Sequence, residues 1–164
     1  MPGIKQPVSE KTYIQWDELV SLCDTICNNI NTDGVHIERI IGISRGGLIP
    51  ATIIANCLGV REVYSFGVRS YPDDKYESSA GSPVTYQDMI HPGSTFLRET
   101  KSTLIVDDIS DKGKTLHFVT SKIYNTKPGA ANIVRTASLF IKKETTFIPD
   151  WYAMVSDKWI VFPW

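Results

Sequence analysis

Short, almost unbroken apolar runs alternate along this chain with stretches in which apolar residues return at helical spacing. Trp16, Leu19, Val20, Cys23, Ile26, Cys27 and Ile30 follow the second pattern and predict an amphipathic helix over 16–30, which the turn residues Asn31 to Gly34 end. Thr12 to Gln15 reads as a short strand after a loose lead-in. Arg39 to Ser44 is nearly continuous in apolar residues, the pattern of a parallel strand buried on both faces. Arg45-Gly46-Gly47 follows, and Leu48 to Leu58 then predicts a helix with Pro50 in its first turn and Gly59 as its stop. Glu62 to Tyr71 is extended. Thr103 to Asp108, Asn132 to Ile141 and Trp151 to Val155 are further strands, and Thr115 to Thr126 is a helix burying Leu116, Val119 and Ile123. Strands alternating with helices imply right-handed crossovers and an α/β fold, a mainly parallel central sheet flanked by helices. In that architecture ligands gather at the carboxyl ends of the strands.

One stretch breaks the rhythm. Pro72 to Lys101 is rich in Pro, Gly, Ser and Asp and nearly free of periodicity, although Pro83 to Tyr86 and Thr95 to Arg98 could be short strands. Such a length without elements inside a domain reads as a lid or a disordered loop. With 164 residues the chain is expected to form one domain, 1–164, with the lid at about 70–101. A net charge of -1 argues against a broad nucleic-acid or membrane face. Cys23, Cys27 and Cys57 have no metal-ligand spacing, and an odd count points to a reducing compartment. With no apolar leader and no membrane-length segment, the expected address is the cytoplasm.

Candidate chemistry concentrates between Thr103 and Thr115. The apolar run Leu104 to Val106 meets Asp107 and Asp108, then Asp111, then Gly113-Lys114-Thr115 at the start of a helix. Burying acids is costly, so they are expected at the strand end, facing a cleft. The turn behind them offers backbone N–H groups and a helix N-terminus, which suit a phosphate. The pattern predicts a grip on a phosphorylated sugar. A nucleotide-triphosphatase loop does not fit: Asp108 stands where its first Gly would be, and after Gly42 to Gly47 Leu48 stands where its Lys would be.

Residues 104–115 resemble the motif by which type I phosphoribosyltransferases bind 5-phosphoribosyl-1-diphosphate (PRPP), departing from it at Lys112, where Thr or Ser is usual. Ser44-Arg45-Gly46-Gly47 is similar to the pyrophosphate loop of the bacterial xanthine–guanine (6-oxopurine) members, in which a cis peptide, here Ser44–Arg45, turns N–H groups toward the diphosphate. Ser70-Tyr71 resembles the pair that opens their catalytic loop. Ser138 to Lys142 resembles the strand delivering their purine-recognising Lys, and Asp157 to Trp164 resembles their tail, although relatives continue beyond the Pro-Trp.

The resemblance implies a type I phosphoribosyltransferase fold with a mobile lid and a small hood built from the N-terminal and 143–164 segments. It implies transfer of ribose 5-phosphate from PRPP to guanine, xanthine or hypoxanthine, giving a nucleoside monophosphate and pyrophosphate. The catalytic residues implied are Asp111, as acid/base at N7, with Ser70 and Tyr71 on the lid. PRPP would meet Arg45, Gly46, Asp107, Asp108, Ser110, Asp111, Lys112, Gly113, Lys114 and Thr115. The purine would meet Lys142, Trp159 and Ile160, and Asp108 would hold Mg²⁺. A homodimer or homotetramer is implied as well. A phosphoribosyltransferase for another base, a PRPP- or nucleotide-sensing regulator on the same fold, and a catalytically weakened relative are the alternatives.

Overall fold

The computed structural model describes residues 10–69, 83–88, 99–127, 129 and 133–164. In chain order the elements are β1 (Lys11–Tyr13), α1 (Trp16–Thr32), β2 (Arg39–Ser44), α2 (Leu48–Leu58), β3 (Glu62–Arg69), β4 (Val84–Gln87), β5 (Thr103–Ser110), α3 (Lys114–Thr126), β6 (Val134–Ile141), β7 (Trp151–Val155) and β8 (Trp159–Val161). Six strands form the central sheet in the order β4-β3-β2-β5-β6-β7, and β1 pairs with β8 in a separate ladder. Every pairing in the central sheet is parallel except β3 with β4.

Side-chain alternation within the strands supplies two cores. Ile40, Leu104, Val106, Ala137 and Leu139 face α1 and α2, joining Leu19, Cys23, Ile26, Cys27 and Ile30 of the predicted helical stripe. Ile41, Ile43, Phe66 and Ile105 point the other way, onto Leu116, Val119 and Ile123 of α3. Burial on both faces explains why β2 and β5 read as continuous apolar runs. The cysteines are free, and those of α1 are core residues: burial pushes the Cys23 thiol up to about 12 and raises Cys27 as well.

Two features at the amino ends of the strands were hidden in the sequence. Arg39 opens β2 fully buried, with its guanidinium bonded to Glu62 and Glu99 and stacked 5.5 Å from the Tyr64 ring centroid. Lys101 joins the same two acids, so residues 99–101 are fastened to the base of the sheet. Among the described residues no helix is long and apolar enough to cross a membrane.

The sheet changes winding direction between β2 and β5: after β2 the chain adds β3 and β4 on one side, then β5, β6 and β7 on the other. A crevice opens at the carboxyl ends of strands at such a point. It falls between the 44–47 and 107–115 segments.

Candidate active site

β5 is longer than its sequence pattern indicated. The acids were expected to stand at its end, but the strand runs on to Ser110. The reason lies in its neighbours. Pairing with β2 stops at Val106, whereas pairing with β6 continues through Asp107↔Ser138 to Ser110↔Ile141. The overhang leaves Asp107 and Asp108 bordering the crevice on the β2 side while their backbone stays in the sheet.

Across the gap, β2 gives way to Ser44-Arg45-Gly46-Gly47, with a cis peptide bond between Ser44 and Arg45 as the resemblance implied. The loop approaches β5 very closely. A Cβ on Gly46 would lie 2.0 Å from Asp108 Oδ2, and one on Gly47 would lie 2.3 Å from the Val106 carbonyl oxygen. Tyr86 of β4, within the short strand expected at Pro83 to Tyr86, donates its hydroxyl to the Ser44 carbonyl at 3.3 Å.

The two helices that begin at the crevice share a character that α1 lacks. α2 follows Gly47 and α3 follows Gly113, and neither has an acid in its first turn. α1 carries Asp17 and Glu18 there. A glycine-capped, acid-free N-terminus presents backbone dipole to an anion without competition from a carboxylate. At Gly113 glycine is required twice over, by φ of 77° and by Phe147 N, which a Cβ would meet at 2.5 Å.

The acids differ electrostatically. Asp107 is buried, and that burial, reinforced by the Asp108 charge, pushes its carboxyl well above the usual range. Burial raises Asp108 as well, against the Ile109 N–H, which favours the ionised form. Asp107 Oδ1 accepts the Asp108 N–H at 3.0 Å. Asp107→Asn keeps that acceptor and removes a buried charge. In metal-free buffer at pH 7.5 this variant is expected to melt above the wild type by roughly 2–6 °C. The sign follows from linkage. A folded-state pKa above the unfolded one carries no penalty below the unfolded value; the penalty grows as pH rises from the unfolded value to the folded one and is constant above it. The gap should therefore close as pH falls into the ordinary carboxylate range; a pH-independent gap, or a lower melting point at pH 7.5, contradicts the argument.

The Glu144 carboxylate chiefly raises the Lys112 ammonium, and Asp111, exposed just past β5, lies near enough for its charge to act on both Lys112 and Lys142. For Lys142 the larger effect is burial, which lowers it. Its Nζ donates to the Lys158 carbonyl, next to Trp159. Lys143 is exposed and paired with Asp157 at 2.7 Å, so the structure separates the two adjacent lysines. Trp159 opens β8 with its side chain 57% exposed, and Ile160 is half-buried beside it. β8 is held by β1, in the register Lys11↔Trp159 and Thr12↔Ile160.

Ser110 turns inward: its hydroxyl donates to the Phe147 carbonyl at 2.9 Å and lies 2.9 Å from Thr145 Oγ1. Its side chain ties the turn to the segment after β6. Lys112 meets the same segment, through its ammonium to Glu144 and its carbonyl to the Thr146 hydroxyl. Glu144, Thr145 and Thr146 had no signal in the sequence. Ser70, Tyr71 and most of the expected lid lie outside the described residues.

Comparison with known proteins agrees with this geometry. The phosphoribosyl transferase domain model matches residues 10–164. The xanthine-guanine phosphoribosyltransferase of Cereibacter sphaeroides is 33% identical over 163 residues, spanning 96% of this chain and 89% of the relative. That of Ruegeria sp. is 28% identical over 169 residues, spanning 96% and 87%. The crystal structure of a purine phosphoribosyltransferase from Pyrococcus horikoshii is 30% identical, superposes with a TM-score of 0.73, and covers 94% of this chain and 93% of its own. With a switch-point crevice between a cis-peptide loop and an acidic strand, and a family match over nearly its whole length, this chain belongs to the phosphoribosyltransferases.

Proposed function

We propose that the chain is a purine salvage enzyme that transfers ribose 5-phosphate from PRPP to N9 of a 6-oxopurine and releases pyrophosphate. The observation that carries this reading is the closure of Gly46 onto Asp108 at the switch point, which sets a diphosphate loop against the acids that would take the ribose hydroxyls. The named activities of the similar proteins from Cereibacter sphaeroides and Pyrococcus horikoshii support it.

The mechanism follows from the residues. Asp107 and Asp108 accept the 2′ and 3′ hydroxyls. The backbone of Lys112 to Thr115 cradles the 5′-phosphate at the start of α3. Arg45 and the Gly46 N–H meet the pyrophosphate, whose charge grows as the glycosidic bond breaks. Asp111 takes the proton at N7 as N9 attacks. Lys142 donates to the 6-oxo group and opposes a 6-amino group, itself a donor, which selects against adenine. Trp159 stacks on the base and the Ile160 carbonyl faces its 2-substituent. The resemblance assigns Ser70 and Tyr71, which lie outside the described residues, to keeping water from an oxocarbenium-like transition state.

Mg²⁺ fits the donor set. Asp107 and Asp108 are hard oxygen donors whose adjacent, buried charges a dication relieves. Among the described residues no cluster of three or more ligating side chains occurs. Asp108 would hold the ion, which when bound neutralises diphosphate charge. The same reading gives a cytoplasmic homodimer or homotetramer.

The full chain with PRPP, Mg²⁺ and guanine, xanthine or hypoxanthine is expected to form the nucleoside monophosphate and pyrophosphate, and EDTA to stop it. No product with any purine base would sink the reading, and competition among the three bases would rank them.

A further inference from the structure

Lys112 is the one position at which this chain departs from the PRPP motif, and the structure gives it a partner. Its ammonium donates to the Glu144 carboxylate, on the segment that follows β6. The same segment fixes the backbone of the turn: the Thr146 hydroxyl donates to the Lys112 carbonyl at 2.9 Å, the Ser110 hydroxyl to the Phe147 carbonyl, and Phe147 packs against Gly113. The position of the turn therefore does not depend on the ion pair. The side chains of that pair are 52% and 76% exposed, which makes the ammonium the movable part.

An exposed pair of this kind is worth about fivefold at most in an equilibrium constant. A phosphate dianion brings more charge and three acceptor oxygens, and it competes well for an ammonium held by a single carboxylate. The Lys112 backbone already belongs to the turn expected to hold that phosphate.

We propose that Glu144 is a positioning residue that holds the Lys112 ammonium away from the 5′-phosphate site until a phosphorylated sugar takes it over, and that it thereby sets the affinity for PRPP. The proposal rests on the phosphoribosyltransferase reading of the 107–115 segment. It gives the substituted Lys a role: charge replaces the usual hydroxyl, and Glu144 tempers that charge.

The test is a cycle of four full-length proteins: wild type, E144Q, K112T and the double variant. Ribose 5-phosphate affinity is measured by calorimetry, and kcat and KM for PRPP by turnover. E144Q is expected to tighten ribose 5-phosphate and lower KM for PRPP by about two- to fivefold, with the change in KM rather than kcat, and added salt should narrow the gap. In the K112T background the same substitution should have almost no effect. Unchanged or weaker binding in E144Q overturns the proposal. Equal tightening in the K112T background also overturns it, because Glu144 would then act on phosphate directly. Failure of the wild type to bind either ribose 5-phosphate or PRPP would overturn the phosphoribosyltransferase reading itself, and this proposal with it.

Discussion

Asp111→Asn is expected to lower kcat by about 10²- to 10⁴-fold, the range for loss of a general acid/base. Asn has nearly the same shape and remains a hydrogen-bond acceptor, so KM for PRPP should hold within about twofold if the lost function is proton transfer. The position supports that division. Asp111 follows the last residue of β5, is exposed, and lies close enough to Lys142 for the two charges to interact. A second readout separates chemistry from structure. The Asp111 charge raises Lys142 and partly offsets the burial that lowers it. Without that charge the Lys142 ammonium loses its proton at lower pH, so the alkaline limb of the pH–rate profile should move down. Steady-state kinetics across pH measures both effects. Full activity in D111N would remove Asp111 from the proton path; an unmoved alkaline limb would uncouple it from Lys142.

Gly47→Ala should produce the largest loss of stability. Gly47 has φ of -72°, which any residue adopts, so conformational freedom is not what requires glycine there. Space is. An added Cβ would meet the Val106 carbonyl oxygen at 2.3 Å, the Ile43 carbonyl oxygen at 2.8 Å and the Ile43 nitrogen at 2.9 Å. All three are backbone atoms of β2 and β5, the two strands flanking the crevice, and no rotamer change relieves them. Overpacking against backbone should cost roughly 3 kcal/mol, at the upper end of the usual range. For a chain of this size that corresponds to a fall in Tm of about 6–12 °C, readable by calorimetry or by a urea midpoint with unchanged m. A melting point within about 2 °C of wild type would mean that the strands part without cost. Gly46 differs, because its contact is the Asp108 carboxylate, which can turn aside.

Much of this architecture was legible in the residues because it is locally periodic. The helical stripe of α1, the apolar runs of β2 and β5 and the glycine-bearing turns after them each follow from neighbours close in sequence. The limits of legibility have physical causes. Asp107 and Asp108 end the apolar pattern, whereas the strand ends where hydrogen bonding to β6 ends, and only tertiary pairing sets that point. The pattern could not show that Ser110 would turn from the crevice toward Phe147, or that Glu144 would face Lys112, since both partners arrive from a segment beyond β6 with no periodic signature. The motif singled out Lys142 over Lys143 by its place after Ile141; the structure adds a physical difference, partial burial of the first and ion pairing of the second. Arg39 looked like the polar edge of an apolar strand, and became a buried charge because Glu62 and Glu99 converge on it.

The ladder between β1 and β8 sets an order on assembly. It joins Lys11 to Trp159, the two extremes of the described chain, whereas β2 pairs with β3 across a single helix. Loop-closure entropy rises with the length enclosed, so this ladder joins its ends at the greatest entropic cost, offset by three ladder pairs and by the packing of Ile160 and Phe162 on the core. The crevice between the 44–47 and 107–115 segments can therefore exist before the β1–β8 ladder closes. During synthesis Trp159 emerges after every strand of the central sheet, so on the proposed function the wall assigned to the purine is completed after the crevice assigned to PRPP.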